Sequence, residues 1–180
     1  MPNRRHLWRG IHDQQWVKDG VRIDAHVKKP LSTATSRWEV SVQVTNAAVG
    51  HKFPTYLTPR VFVRAALLDN AGKMIPGTQQ ERVIGWDAKF EDGQWKEYFD
   101  TRVPPGETFQ ADFNWAATRQ AKKIRAWVEV HPDYFYHHHF YPAYLNDQSL
   151  SPAGKGLVEK ALRESGRTSY TLFDTVILLR

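Results

Sequence analysis

Residues 37–44 read RWEVSVQV. Trp38, Val40, Val42 and Val44 recur at every second position, with Glu39, Ser41 and Gln43 between them. A period of two is that of a pleated strand with one face on a core and the other toward water. The neighbouring segments repeat the pattern. RVFVRAALLD (60–69) is a more apolar strand, closed by the turn residues Asp69-Asn70-Ala71-Gly72. ERVIGWDAKF (81–90) and QWKEYFDTRV (94–103) flank Glu91-Asp92-Gly93 and predict a hairpin in which Gly93 takes a positive φ.

Pro104-Pro105-Gly106-Glu107 turns the chain into TFQADFNWA, where Phe109, Ala111, Phe113 and Trp115 alternate. KIRAWVEV (123–130) puts Ile124, Ala126, Val128 and Val130 on one face and Trp127 on the other. YTLFDTVILL (170–179) is a closing strand. Strands separated by turn signals at such intervals predict an antiparallel β-sandwich. One short helix interrupts the series. Ser151 is its N-cap, Pro152 its first residue, Leu157, Val158, Ala161 and Leu162 its apolar stripe, and Gly166 its stop. Residues 1–19 are polar and aromatic and read as an arm. Residues 20–180 read as one domain without repeats or linkers.

With 41% hydrophobic and 13% aromatic residues in 180, the chain can bury a core. No window approaches the ~20 apolar residues of a membrane-spanning helix. The basic opening MPNRRHLWRG has no apolar run behind it and does not read as a secretion signal. The absence of cysteine excludes disulfides, thiolate nucleophiles and C-x-x-C-H haem attachment within this chain. The net charge of +6 is spread over small clusters (Arg4, Arg5 and Arg9; Lys28 and Lys29; Lys122, Lys123 and Arg125). A nucleic-acid binder concentrates such charge on one element, so nucleic acid is not the expected partner; an acidic protein surface fits better. No nucleophile elbow, zinc-helix, Walker or dinucleotide motif occurs, and the chain is not expected to be an enzyme.

The eight histidines are the unusual resource. Asp24 and His26 sit two apart on a strand and read as a surface pair. If residues 137–139 are extended, His137 and His139 share a side and can chelate a transition metal. Their flanks, DYFY and FYPAY, are aromatic. Tyr134, Tyr136 and Tyr141, with Phe135, Phe140 and Tyr144, are either a platform for carbohydrate or protein, or a cover over one end of the core.

VTNAAVGHKFPT (44–55), where the first strand runs out, resembles the T-N-x-x-x-G-H-x-F/L-P-T signature of the C-terminal β-domain in multihaem c-type cytochromes of the cytochrome c-554-like group. MPNRRHLWRGIHD (1–13) is similar to the segment after the last haem-attachment motif there, DTRVPPGET (100–108) to a D-T-R-x-P-P-G-E turn, and AWVEVHPDYFY with SYTLFDTVILL to the closing strands. Tyr56 departs from the glycine frequent after Pro-Thr, and every haem-attachment motif is missing.

The resemblance implies an all-β, immunoglobulin-like antiparallel sandwich with one short helix near the C-terminus. It implies a haem-free accessory domain in electron transfer, with residues 1–19 as the arm that joins it to a haem module. No haem is covalently bound here; haem c belongs to the neighbouring module. The implied partners are that module and a redox protein, in a periplasmic or extracellular place. His51, His6 and His12 become candidate distal haem ligands, with Gly50 and Pro54 stiffening the loop and Phe53 anchoring it. This reading predicts an exposed apolar surface around residues 1–16 and 50–57. The alternative, a free-standing module binding carbohydrate or protein through 134–144, predicts a polar surface there and a ring-lined groove instead.

Overall fold

The protein, seen in a computed structural model that describes residues 10–27 and 37–179, is a two-layer β-sandwich. One sheet holds β1 (Val21–Val27), β2 (Arg37–Asn46) and β6 (Thr108–Ala116) in the order β1-β2-β6. The other holds β3 (Arg60–Leu68), β4 (Gln80–Glu91), β5 (Gln94–Asp100), β7 (Lys123–His131) and β8 (Tyr170–Leu178) in the order β5-β4-β3-β7-β8. All pairings are antiparallel. The chain changes sheet after β2, β5 and β6, the Greek-key connection of the immunoglobulin fold with two extra strands beside the third. The expected all-β sandwich is therefore observed.

The alternation read from the sequence places the core. Val40, Val42 and Val44 of β2 and Phe113 of β6 face Val61, Val63, Leu67, Ile84, Ile124, Val128 and Val130 of the other sheet, all at most 1% exposed. Residues on outward faces are buried as well, among them Ser41 and Trp127. Ser41 is covered between its register partners His26 and Asp112. Trp127 lies beneath the Arg125 guanidinium, 4.8 Å from its ring centre.

Strand registers gather the long connections at one end. Val21, Asn46 and Thr108 lie level in the first sheet, and Arg60, Gly85, His131 and Tyr170 lie level in the second. Residues 10–20, 47–59, 86–107 and 132–169 all leave from that end. Only Gln80–Gly85 of β4 pair with β3; Trp86–Glu91 pair with β5 alone. The β4–β5 hairpin thus continues past the sheet as a two-stranded ribbon of about 20 Å. Its tip turns through Asp92 (φ 53°) and Gly93 (φ 77°), the two consecutive positive angles of a type I′ turn.

The helices differ from expectation in three ways. The arm contains α1 (Gln14–Gly20), capped by the Asp13 side chain on Trp16 N–H at 3.0 Å; it buries Val17 and leaves Trp16 exposed. Residues 136–140 are not the extended stretch that a metal site at His137 and His139 requires; they form a π-helical turn (Tyr136–Phe140) that runs into α2 (Tyr141–Leu145). Aromatic rings four apart then meet, Phe140 tilted against Tyr144 at 4.7 Å and Tyr136 edge to face with Phe140 at 5.7 Å, which a strand does not allow. The predicted helix is α3 (Pro152–Ser165), with Ser151 Oγ accepting from Gly154 N–H at 3.1 Å. It packs on α2 and the π-turn rather than on the sheets, so none of its residues is buried and Leu157 of the predicted stripe is 70% exposed.

Candidate functional site

Asn46, the last residue of β2, organises the stretch VTNAAVGHKFPT. Its fully buried amide donates to the carbonyls of His51 (2.8 Å) and Val103 (2.9 Å), and its Oδ1 accepts from Val49 N–H at 3.1 Å. Phe53 sits in the core at 3% exposure and exchanges both backbone bonds with Val103. The Pro-Pro-Gly-Glu turn closes on the same point, with Gly106 N–H on Asn46 C=O and Asn46 N–H on Glu107 C=O. Two motifs far apart in the sequence thus form one rigid corner, and Phe53 anchors it as expected.

His51 stands on that corner with its side chain exposed. Its Nδ1 lies 3.1 Å from Lys52 C=O and 2.8 Å from Thr55 Oγ1. The tautomer with its proton on Nδ1 donates to these oxygens and keeps its lone pair on Nε2. This is the arrangement by which a partner on one ring nitrogen orients the other toward a metal. Among the described residues nothing bonds Nε2. His12 is placed differently: its Nε2 pairs with Asp133 Oδ2 at 3.1 Å. His6 lies outside the described residues.

Beside His51 a cavity of about 260 Å³ opens between arm and loop, lined by Ile11, Trp16, Val49, Phe53 and Tyr56 among others. Trp16 is 52% and Tyr56 70% exposed, so large apolar surface faces outward around residues 10–16 and 50–57. The arm is fixed there by Tyr170, whose hydroxyl donates to Ile11 C=O at 2.7 Å; burial pushes its pKa up. Gln14 Nε2 donates to Thr171 C=O at 2.7 Å.

Two charged groups hold this end together: Arg60, which the sequence did not single out, and Asp100, the first residue of DTRVPPGET. Arg60, 4% exposed, donates to Leu57 and Pro59 carbonyls and to Asp87 Oδ1, and lies 5.4 Å from the rings of both Phe99 and Tyr134. It therefore joins loop, ribbon and π-turn. Burial pushes its pKa down, opposed by Asp87. Asp100 is bound by Arg102 and Lys52, which hold its carboxyl far below the usual range against the effect of burial. Arg102 also donates to Thr55 C=O and covers the Trp86 ring at 4.4 Å. For Arg60 the only sequence signal was an arginine opening an apolar strand, whereas Asp100 and Arg102 stand in DTRVPPGET.

The 134–144 region is a ring cluster at the same end. Tyr134 is half-buried against Phe62, His131 and His138, Tyr141 is half-buried, and Tyr136 is 37% exposed. His137 and His139 do not share a side in the helical turn. His137 Nδ1 donates to Leu162 C=O at 3.0 Å, while His139 lies against Tyr134 and Phe135. Among the described residues, no group of three or more histidine or carboxylate side chains is arranged to hold a metal ion. Asp24 pairs with Arg22 at 3.5 Å rather than with His26.

No family model matches the chain, and no curated protein matches it. Among solved structures, the penta-haem cytochrome c552 from Thermochromatium tepidum is similar over 95% of this chain and 42% of its own, with a TM-score of 0.64 and 15% identity. The likeness is one of fold. The chain spans less than half the length of that cytochrome. A putative ApaA protein from Bordetella pertussis aligns over 88% of this chain and 91% of its own, with a TM-score of 0.34 and 10% identity. Among the described residues no helix is long and apolar enough to cross a membrane.

Proposed function

We propose that this chain is the haem-free β-domain of a multihaem c-type cytochrome, that its loop end packs against a haem-bearing module, and that His51 Nε2 serves there as a distal ligand. His51 carries the reading: an exposed imidazole with Nδ1 committed and Nε2 bare, on a rigid corner, amid uncovered apolar surface. The fold shared with a penta-haem cytochrome, of which it accounts for 42% of the chain, supports it. Lacking cysteine, the chain holds no haem covalently; haem c belongs to the partner module, and the setting is periplasmic or extracellular. The domain is not an enzyme: it shields the haem module from water, tunes one iron through its axial ligand, and supports electron transfer to a redox protein. His12 contributes by tying the arm to Asp133 instead of by ligation.

The test mixes the chain with a ferric haem c peptide that has one open axial position. The expected result is a low-spin, bis-histidine spectrum that is lost in His51→Ala and kept in His12→Ala. Equal spectra for the chain and His51→Ala remove the ligand role. In-frame C-x-x-C-H codons upstream of the segment then check the parentage. The carbohydrate- or protein-binding reading keeps one observation, the part-exposed rings of Tyr136, Phe140 and Tyr144.

A further inference from the structure

Among the described residues, the β4–β5 ribbon carries a cluster of exposed rings outside the His51 corner. At its tip Phe90 is 62% and Trp95 68% exposed, packed edge to face at 5.7 Å. Tyr98, 53% exposed, lies on the other face with the Lys89 ammonium 5.0 Å from its ring. Beyond Gly85 no third strand pairs with the ribbon among the described residues. A two-stranded hairpin in water is marginal by itself, and large rings on such an arm are the mark of a contact surface.

We infer that the ribbon is a second arm of the docking surface at the His51 corner, and that it closes over the same haem-bearing module. The inference rests on the function proposed above. Three observations favour that occupant. The ribbon leaves from the same end as the His51 loop, because Gly85 lies level with Arg60. Its base is wired to that loop: Lys52 and Arg102 both bind Asp100, Arg102 donates to Thr55 C=O and covers Trp86, and Arg60 holds Asp87 and the Leu57 carbonyl. Area is the third. Trp16 and Tyr56 alone leave about 250 Å² open, and Phe90 with Trp95 about as much again. A stable interface covers about 800 Å² per partner, and these two pairs of rings together supply more than half of it.

A second copy of the chain fits the ribbon less well. When two β5 edges pair about a two-fold axis, residues of one face meet residues of the same face, and the residue on the axis meets itself. In the two central registers that residue is Lys96 or Glu97, and like charges directly opposite are destabilising. Lys96 is paired with Asp92 at 2.6 Å, and carboxylates outnumber lysines along 86–100, so charge does not draw an acidic partner to the ribbon.

The experiment is amide hydrogen exchange on the 180-residue chain alone and on the protein in its native, haem-bearing assembly. The expected result is at least about tenfold slower exchange at both 50–57 and 86–100 in the assembly. The double variant Phe90→Ser with Trp95→Ser, both sites exposed, should leave the melting temperature of the chain unchanged and remove the ribbon's protection. Protection of 50–57 with an unchanged ribbon overturns this inference and leaves the proposed function standing. Protection at neither segment overturns both. Ribbon protection that appears in the chain alone as its concentration rises assigns the surface to a second copy and also overturns the inference.

Discussion

At the scale of single residues, Asn46 and Arg60 show how buried polar groups shape this end. The fully buried Asn46 side chain bonds two carbonyls and one N–H. Asn46→Ala removes the partner of the His51 carbonyl and of Val49 N–H, each costing ~1–3 kcal/mol, while the Val103 carbonyl keeps Phe53 N–H. We expect a loss of ~2–4 kcal/mol in urea unfolding and faster exchange at 47–53; a change under ~1 kcal/mol would contradict the assigned bonds. The asparagine was visible in the sequence as part of a resemblance, but its chemical role was not. Hydrogen bonding to Val103 depends on where the chain returns 57 residues later. Arg60 was hidden more deeply, because nothing local distinguishes a buried arginine between two carbonyls and two rings from one in solvent.

At the scale of elements, α3 ends as its sequence indicated but for a different reason. Gly166 stands at the helix stop with φ −70°, an ordinary angle that needs no glycine. It is glycine because the His137 ring lies against it: a Cβ there would fall 2.7 Å from His137 Cε1. Gly166→Ala should therefore destabilise the α3–π-turn contact by ~1–3 kcal/mol, the range of overpacking. Pairing it with His137→Ala should recover most of that loss in a double-mutant cycle; strictly additive losses would separate the two residues. The strands were legible because their period follows from the pleat. The π-turn and α2 were not, because FYPAY and the histidines carry no helical stripe and are ordered by ring contacts. The hairpin tip was legible from Asp92-Gly93, since consecutive positive φ angles limit the residue choice there.

For the molecule as a whole, acid is the condition that strains the loop end. His131 and His138 both have pKa values below the ordinary 6.5. Burial is the main cause for each. Glu129, 3.9 Å from His131, acts the other way, while Arg64 and His138 add to the lowering; for His138 the neighbouring His137 and His139 add to it. A depressed imidazole pKa means the unfolded chain binds protons that the folded one refuses. Its contribution is complete above the unfolded value of about 6.5, is lost as pH falls toward the folded value, and changes no further below that. Urea midpoints should fall from about pH 7.5 to about pH 5.0, and His131→Phe should flatten the slope. A midpoint that rises on acidification would reverse the assignment.

Periodicity and turn chemistry, both local properties of the chain, determined the sandwich, its hairpin and the capped helix before any contact was known. They also placed His51 on a loop at a strand end. Tertiary structure alone decided that this loop, the arm, the ribbon and the ring cluster stand at one end of the molecule, because strand register between distant segments sets which loops are neighbours. It likewise decided which histidines differ. His12, His51 and His137 are identical as residues, and only their partners, a carboxylate, a carbonyl with a hydroxyl, and a helix terminus, leave Nε2 of His51 bare and commit His12 through its own Nε2.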